Sequence, residues 1–231
     1  MKQMLHRLRY NVEAQLLWPL GLATCALWGF LLLASETMAG DTHAADARIL
    51  QWCRTAGTDG GAWGPGWLPE VMRDITALGS PAVLIMVGTM VWGYLLMASE
   101  RRMAWLAAAS CLGGWATSHA LKGVFMRARP AVDFHGTLAD GYSFPSGHAM
   151  MSAIVFLTLA TLIARLAPHT RLRVYAIVTA SLLSGLIGLS RVYLGVHWAS
   201  DVVAGWIAGV AWALLVWALA HRLHIGQEGS R

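Results

Sequence analysis

The chain has 231 residues, 57% of them hydrophobic and 13% charged, with a mean hydropathy of +0.53, values that exclude an ordinary soluble domain. Its net charge of +5 arises from Lys and Arg at the ends of apolar stretches, without the separate basic domain that nucleic-acid binding requires. The three cysteines, Cys25, Cys53 and Cys111, imply neither a disulfide framework nor a zinc site.

In chain order, a basic start (Lys2, Arg7, Arg9) precedes an apolar run near 14–34. A secretory signal begins the same way, but its apolar core runs roughly 7–15 residues, and the "SETMAGD" that follows is a poor cleavage site. The run therefore reads as a retained helix. The first external loop, about 35–78, is rich in Gly and Trp, and Ala44 to Arg54 has the pattern of a short amphipathic helix at the membrane surface. An ordinary connecting loop is the preferred reading.

Further apolar runs lie near 79–98, 103–121, 147–166, 173–190 and 201–220. A hydrocarbon core takes roughly 20 apolar residues, so the sequence predicts an all-α integral membrane bundle of six transmembrane helices. Gly205 and Gly209 form a GxxxG pair, and Gly113, Gly114, Gly185 and Gly188 offer further small surfaces for close helix contact. Lys and Arg favour the cytoplasmic ends of spans. Ten of the seventeen fall on one side (Lys2, Arg7, Arg9, Arg101, Arg102, Arg165, Arg171, Arg173, Arg222 and Arg231), placing both termini in the cytoplasm.

Three polar groups gather at the external ends of the last four spans, where charged and imidazole side chains are costly and tend to serve function. The first is "KGVFMRARP" at 122–130. Lys122 and Arg129 are seven apart, two helical turns, so both emerge on one helix face before Pro130 stops the helix; the bland reading is a pair of snorkelling anchors. Arg127, on another face, reads as such an anchor. The second is "SFPSGHAM" at 143–150. Here Ser146 is a good N-cap, Gly147 leaves the approach clear, and His148 sits in the first turn of a helix whose unpaired N–H groups suit an anion. A plain cap is the alternative, though a cap needs no histidine.

The third is "SRVYLGVHWASD" at 190–201. Arg191 suits phosphate oxygens, and His197 and Asp201, four apart, stack on one helix face so that the carboxylate orients the ring. A satisfied buried pair is the alternative. In an alternating bundle both of these joins lie on the same membrane side, so the three groups meet. Three cations, a helix start, two histidines and a carboxylate make a phosphate site with a nucleophile and an acid.

The spacing Lys, six residues, Arg-Pro, then Pro-Ser-Gly-His, then Ser-Arg, five residues, His, three residues, Asp resembles the type 2 phosphatidic acid phosphatase (PAP2) superfamily, which shares its site with vanadium-dependent haloperoxidases. Every fixed position is met, by Lys122, Arg129, Pro130, Pro145, Ser146, Gly147, His148, Ser190, Arg191, His197 and Asp201, and the resemblance covers essentially the whole chain as one domain, 1–231. It implies that His197 attacks phosphorus to give a phosphohistidine, with Asp201 holding its tautomer and His148 protonating the leaving oxygen. Lys122, Arg129, Arg191, the Ser146 hydroxyl and the Gly147 N–H would hold the phosphate oxygens. The resemblance implies no cofactor and no metal, since the cations take that electrostatic role.

The expected protein is thus a bacterial inner-membrane lipid-phosphate phosphatase whose site faces the periplasm or exterior. Undecaprenyl diphosphate, phosphatidylglycerophosphate, phosphatidic acid and lipid A phosphates are its candidate substrates. Rival readings are a lipid phosphotransferase using the same site, a haloperoxidase, a His/Asp metal site that the neighbouring cations disfavour, and a non-catalytic lipid transporter. The last would want charges near the bilayer midplane. His119 reads as a polar packing residue and His135 as a solvated loop residue.

Overall fold

A computed structural model of the chain describes residues 2–54, 62–131, 137 and 140–228, with side chains outside 2–16, 165–166, 220 and 223–228. These residues form eight helices: α1 (Lys2–Ala39), α2 (His43–Trp52), α3 (Leu68–Ala77), α4 (Pro81–Met97), α5 (Arg101–Phe125), α6 (Gly147–Leu166), α7 (Thr170–Tyr193) and α8 (Ala199–Glu228). Four segments are long and apolar enough to cross a membrane: Leu17–Ala39, Gly147–Ala164, Thr170–Tyr193 and Ala199–Leu219. Helices α3 and α4 pass the same test as a pair bent by 43°. Ser80 makes that bend by capping α4, its Oγ accepting from the Val83 N–H (3.4 Å), while Pro81 starts the new helix where no N–H is needed.

The segment Ala44 to Arg54, with an ordinary loop as its preferred reading, forms the helix that its amphipathic pattern offered as the alternative, α2. The expected loop 35–78 holds a second helix: "LPEVMRDITA" carries Pro and Glu70 in its first turn, both helix-start signals, and forms α3.

Small residues set the packing of the bundle. A Cβ on Gly205 would meet the Ser146 carbonyl, and one on Gly209 the Met150 carbonyl, so α8 lies backbone to backbone against α6. Gly113, Gly114 and Gly188 likewise receive Trp212, Ile154 and Trp206, whereas Gly185 faces open space and takes no part. Polar pairs add to the contacts: Ser152 Oγ with Ser184 Oγ (3.1 Å), Trp206 Nε1 donating to the Ser184 carbonyl (3.1 Å) and Trp212 Nε1 to the Ser110 carbonyl (3.1 Å).

The core of Phe30, Phe144, Met150, Ile154, Ala204 and Ala208 sits where α1, α6 and α8 meet, just beneath the end of the bundle that carries all three motifs. Exposed Leu22, Leu31, Leu182 and Leu189 turn outward, as lipid-facing positions should.

Candidate active site

Lys122 lies in the last turn of α5 and donates from Nζ to the Tyr142 carbonyl at 2.6 Å. The helix ends sooner than Pro130 suggested, because Met126 adopts the left-handed conformation (φ 44°) and turns the chain out. Arg129 is therefore not on the helix face with Lys122; an irregular segment brings it back. Its guanidinium is held by carbonyls of Asp140 (2.8 Å), Gly141 (3.0 Å), Tyr142 (3.4 Å) and Val196 (2.7 Å). The two cations share the Tyr142 carbonyl instead of a helix face.

The second motif starts α6 at Gly147. Ser146 occupies the N-cap position, but its hydroxyl makes no capping bond, is fully buried and has no partner among the described residues. Its backbone N–H donates to the Asp201 carbonyl (2.9 Å), which ties the second motif to the third. A Cβ on Gly147 would meet only Ser118 Oγ (3.6 Å) and Lys122 Cε (3.7 Å), ordinary contacts, so packing alone does not demand glycine there. His148 is half-buried in the first turn, against Gly79 at the α3–α4 bend.

Arg191, in the last turn of α7, is 3% exposed; it donates from one terminal nitrogen to Thr76 Oγ1 on α3 (3.1 Å), while its Nε has no partner among the described residues. His197 stands in the turn before α8, not on the helix, yet its Nδ1 reaches Asp201 Oδ2 at 3.2 Å. The same oxygen accepts the Trp198 N–H (3.0 Å), as a third-position acid does when it reaches back to a helix N-terminus. A carboxylate only accepts, so Nδ1 carries the proton and Nε2 presents its lone pair, 3.1 Å from Arg129. Burial, then the positive charges of Arg129, Arg191 and Lys122, hold His197 well below the usual histidine range. The ring is neutral, and its Nε2 lone pair meets the Arg129 guanidinium.

The structure thus gathers Lys122, Arg129, Ser146, Gly147, His148, Arg191, His197 and Asp201 at one end of the bundle. Lys122, Gly147 and His148 also form the polar end of an apolar cavity of about 540 Å³ between α4, α5 and α6. It runs along α6 past Met151, Val155 and Thr158 to Leu162. His119 borders this cavity, exposed, with its ring on Trp115 (4.3 Å between centroids) and its Nδ1 2.9 Å from the Trp115 carbonyl. His135 lies outside the described residues.

Arg127 departs from its expected part as an interfacial anchor. Its side chain is 12% exposed and bridges two buried carboxylates, donating to Asp201 Oδ1 (2.6 Å) and to Asp46 Oδ2 (2.8 Å). Asp46, on α2, also accepts the Ser200 N–H (2.9 Å) and the Ser200 hydroxyl (2.5 Å). The sequence reading missed Asp46, Thr76 and the role of Arg127. The one available signal was an acidic residue on the inner face of a short amphipathic helix, with nothing to say which cation it meets.

Comparison with known proteins gives a match of residues 102–225 to the PAP2 superfamily. The chain is 33% identical over 159 residues to phosphatidylglycerophosphatase B of Bacillus subtilis, covering 65% of this chain and 74% of that protein. It is 41% identical over 68 residues to an undecaprenyl-diphosphatase of Sulfolobus acidocaldarius, 29% of each chain. Among solved structures, that of a transmembrane PAP2 type phosphatidylglycerolphosphate phosphatase from Bacillus subtilis superposes with a TM-score of 0.79 at 25% identity, covering 87% of this chain and 96% of the other.

Proposed function

The chain belongs to the PAP2 superfamily and is a multi-pass membrane lipid phosphatase, and on that premise we propose that it frees phosphate from its lipid by way of a phosphohistidine on His197. The neutral Nε2 attacks phosphorus in line as the bond to the lipid oxygen breaks, and His148 gives that oxygen its proton. Asp201 retains its bond to Nδ1–H and balances the positive charge that grows on the ring. Water then attacks the phosphohistidine, passing a proton to His148 as the N–P bond breaks, and the enzyme returns to its starting state.

Lys122, Arg129 and Arg191, with the Ser146 hydroxyl and the Gly147 N–H, hold the equatorial oxygens, where charge must be stabilised. The unpartnered Ser146 Oγ and Arg191 Nε are the donors best placed to accept that duty, since neither gives up a protein bond to do so. No metal is needed where three cations stand.

The observation that carries this reading is the cavity. Its wall is apolar, and its polar end is Lys122, Gly147 and His148, so a phosphate on the cations would have its lipid tail beside α6. Phosphatidylglycerophosphate and undecaprenyl diphosphate, the substrates named for the relatives, lead the list, followed by phosphatidic acid and lipid A phosphates. The whole chain, 1–231, acts as one domain with six spans: α1, the bent α3–α4 pair, α5, α6, α7 and α8. The lysine and arginine bias supports a topology with both termini in the cytoplasm and the site on the outer face of a bacterial inner membrane.

Phosphate release from these four lipids by purified protein in detergent tests the reading. Wild type is expected to release phosphate from at least one, and His197→Ala from none. Full release by His197→Ala would overturn the assignment of the nucleophile.

A further inference from the structure

Asp201 is completely buried beside a neutral ring, and a carboxylate in that position requires a cation. Lys122, Arg129 and Arg191 are not hydrogen-bonded to it; the cation that is bonded to it is Arg127, at 2.6 Å. Arg127 is held in turn from the far side by Asp46, and both donate or accept at Ser200, one residue before Asp201 (Arg127 to Ser200 Oγ, 2.7 Å). Asp46 also takes the Ser200 N–H, one of the donors that a helix start leaves unpaired, so α2 caps α8 across 154 residues of sequence. The chain His197, Asp201, Arg127, Asp46 is thereby a continuous line of charge-assisted hydrogen bonds, anchored outside the bundle.

We propose that Asp46 and Arg127 are positioning residues for the catalytic pair: together they fix the Asp201 carboxylate under the His197 ring and keep it ionised, which makes the external helix α2 part of the catalytic machinery. This rests on the reading of His197 as nucleophile. The two residues touch neither the cavity nor the atoms assigned to phosphate, so they act on the chemical step and not on substrate binding. Arg127 can serve two carboxylates at once because its two terminal nitrogens diverge; an ammonium cannot reproduce that geometry.

The test measures kcat and KM separately for purified Asp46→Asn, Arg127→Gln, Arg127→Lys, Ser200→Ala and the Asp46→Asn/Arg127→Gln double variant, with thermal unfolding in detergent to establish folding. A small misplacement of a catalytic group costs up to about 100-fold, so Arg127→Gln is expected to lower kcat about 100-fold and Asp46→Asn about tenfold, each with KM within about twofold of wild type. Because the two act in series, the double variant should be no worse than Arg127→Gln, and Arg127→Lys should recover only part of the loss. Folded variants with wild-type kcat, a loss confined to KM, or losses that multiply in the double variant would each overturn the proposal. Should Arg127→Gln not fold, Asp46→Asn decides, since it keeps the shape of the side chain; should that fail as well, Ser200→Ala, which keeps both charges, decides by whether kcat falls at all. Activity surviving in His197→Ala would overturn the nucleophile instead, a result separate from any of these.

Discussion

The hydroxyl of Ser146 is buried and idle, an arrangement that costs free energy unless something else uses it. Replacing it with alanine loses no protein hydrogen bond, so Ser146→Ala should unfold at the same temperature as wild type or higher. A hydrogen bond to a charged oxygen contributes about 1.5–3 kcal/mol, so the same variant should lose roughly 10- to 100-fold in kcat/KM. A destabilised but fully active variant would make the serine structural. His197 is the other residue whose state can be read from its surroundings. Its neutral form is the proposed nucleophile, and burial with the charges of Arg129, Arg191 and Lys122 favours that form. The folded ring thus resists protonation below about pH 6.5, where the unfolded ring takes a proton, so this residue contributes stability above that pH that is lost as the pH falls. In activity, the acid limb of the kcat/KM profile should lie below pH 6.5, and Arg129→Gln, which removes one of the opposing charges, should move it upward on the same substrate. A limb that stays in place or moves down would mean that His197 does not set it.

At the scale of the element, the α6–α8 contact decides where the second and third motifs stand relative to each other. A Cβ on Gly205 would lie 2.7 Å from the Ser146 carbonyl oxygen, and backbone cannot yield as a side-chain end can. Overpacking of this kind costs about 1–3 kcal/mol, so Gly205→Val should lower the unfolding midpoint and, by pushing Ser146 away, lower activity as well. Gly185→Ala is the control: its Cβ enters open space, and exchanging a helical glycine for alanine should leave stability unchanged or raise it by up to about 1 kcal/mol. Equal effects from the two would remove the special status of the α6–α8 seam. The start of α8 shows the same dependence on neighbours. Its first N–H groups are met by Asp201 from within and by Asp46 from α2, so the turn that holds His197 is fastened on two sides.

For the whole molecule, the cavity joins a charged end to an apolar body, which suits one substrate class, an anion on a lipid tail. From His148 to Leu162 the α6 wall is about 21 Å long at 1.5 Å per residue. Thr158→Trp fills its far part, about 15 Å from His148, and is expected to lower kcat/KM about tenfold for long-chain lipid phosphates while changing that for short-chain, water-soluble analogues less than about twofold. Equal losses on both would place the tail elsewhere. The all-helical membrane class and the identities of the eight site candidates are legible in the sequence, because apolar run length and motif spacing are local properties that survive without neighbours. The pairing of His197 with Asp201 was readable for the same reason, although the ring sits in the turn before the helix and not on it. What satisfies the buried charges was not readable: Arg127 meets Asp46 across 81 residues and Arg191 meets Thr76 across 115, and contacts at such separations leave no periodic trace in the chain. The sequence by itself determined which groups are the candidates for the chemistry. Only the tertiary structure decided what holds them, since a buried charge is stabilised by whichever partner the fold brings within hydrogen-bond reach.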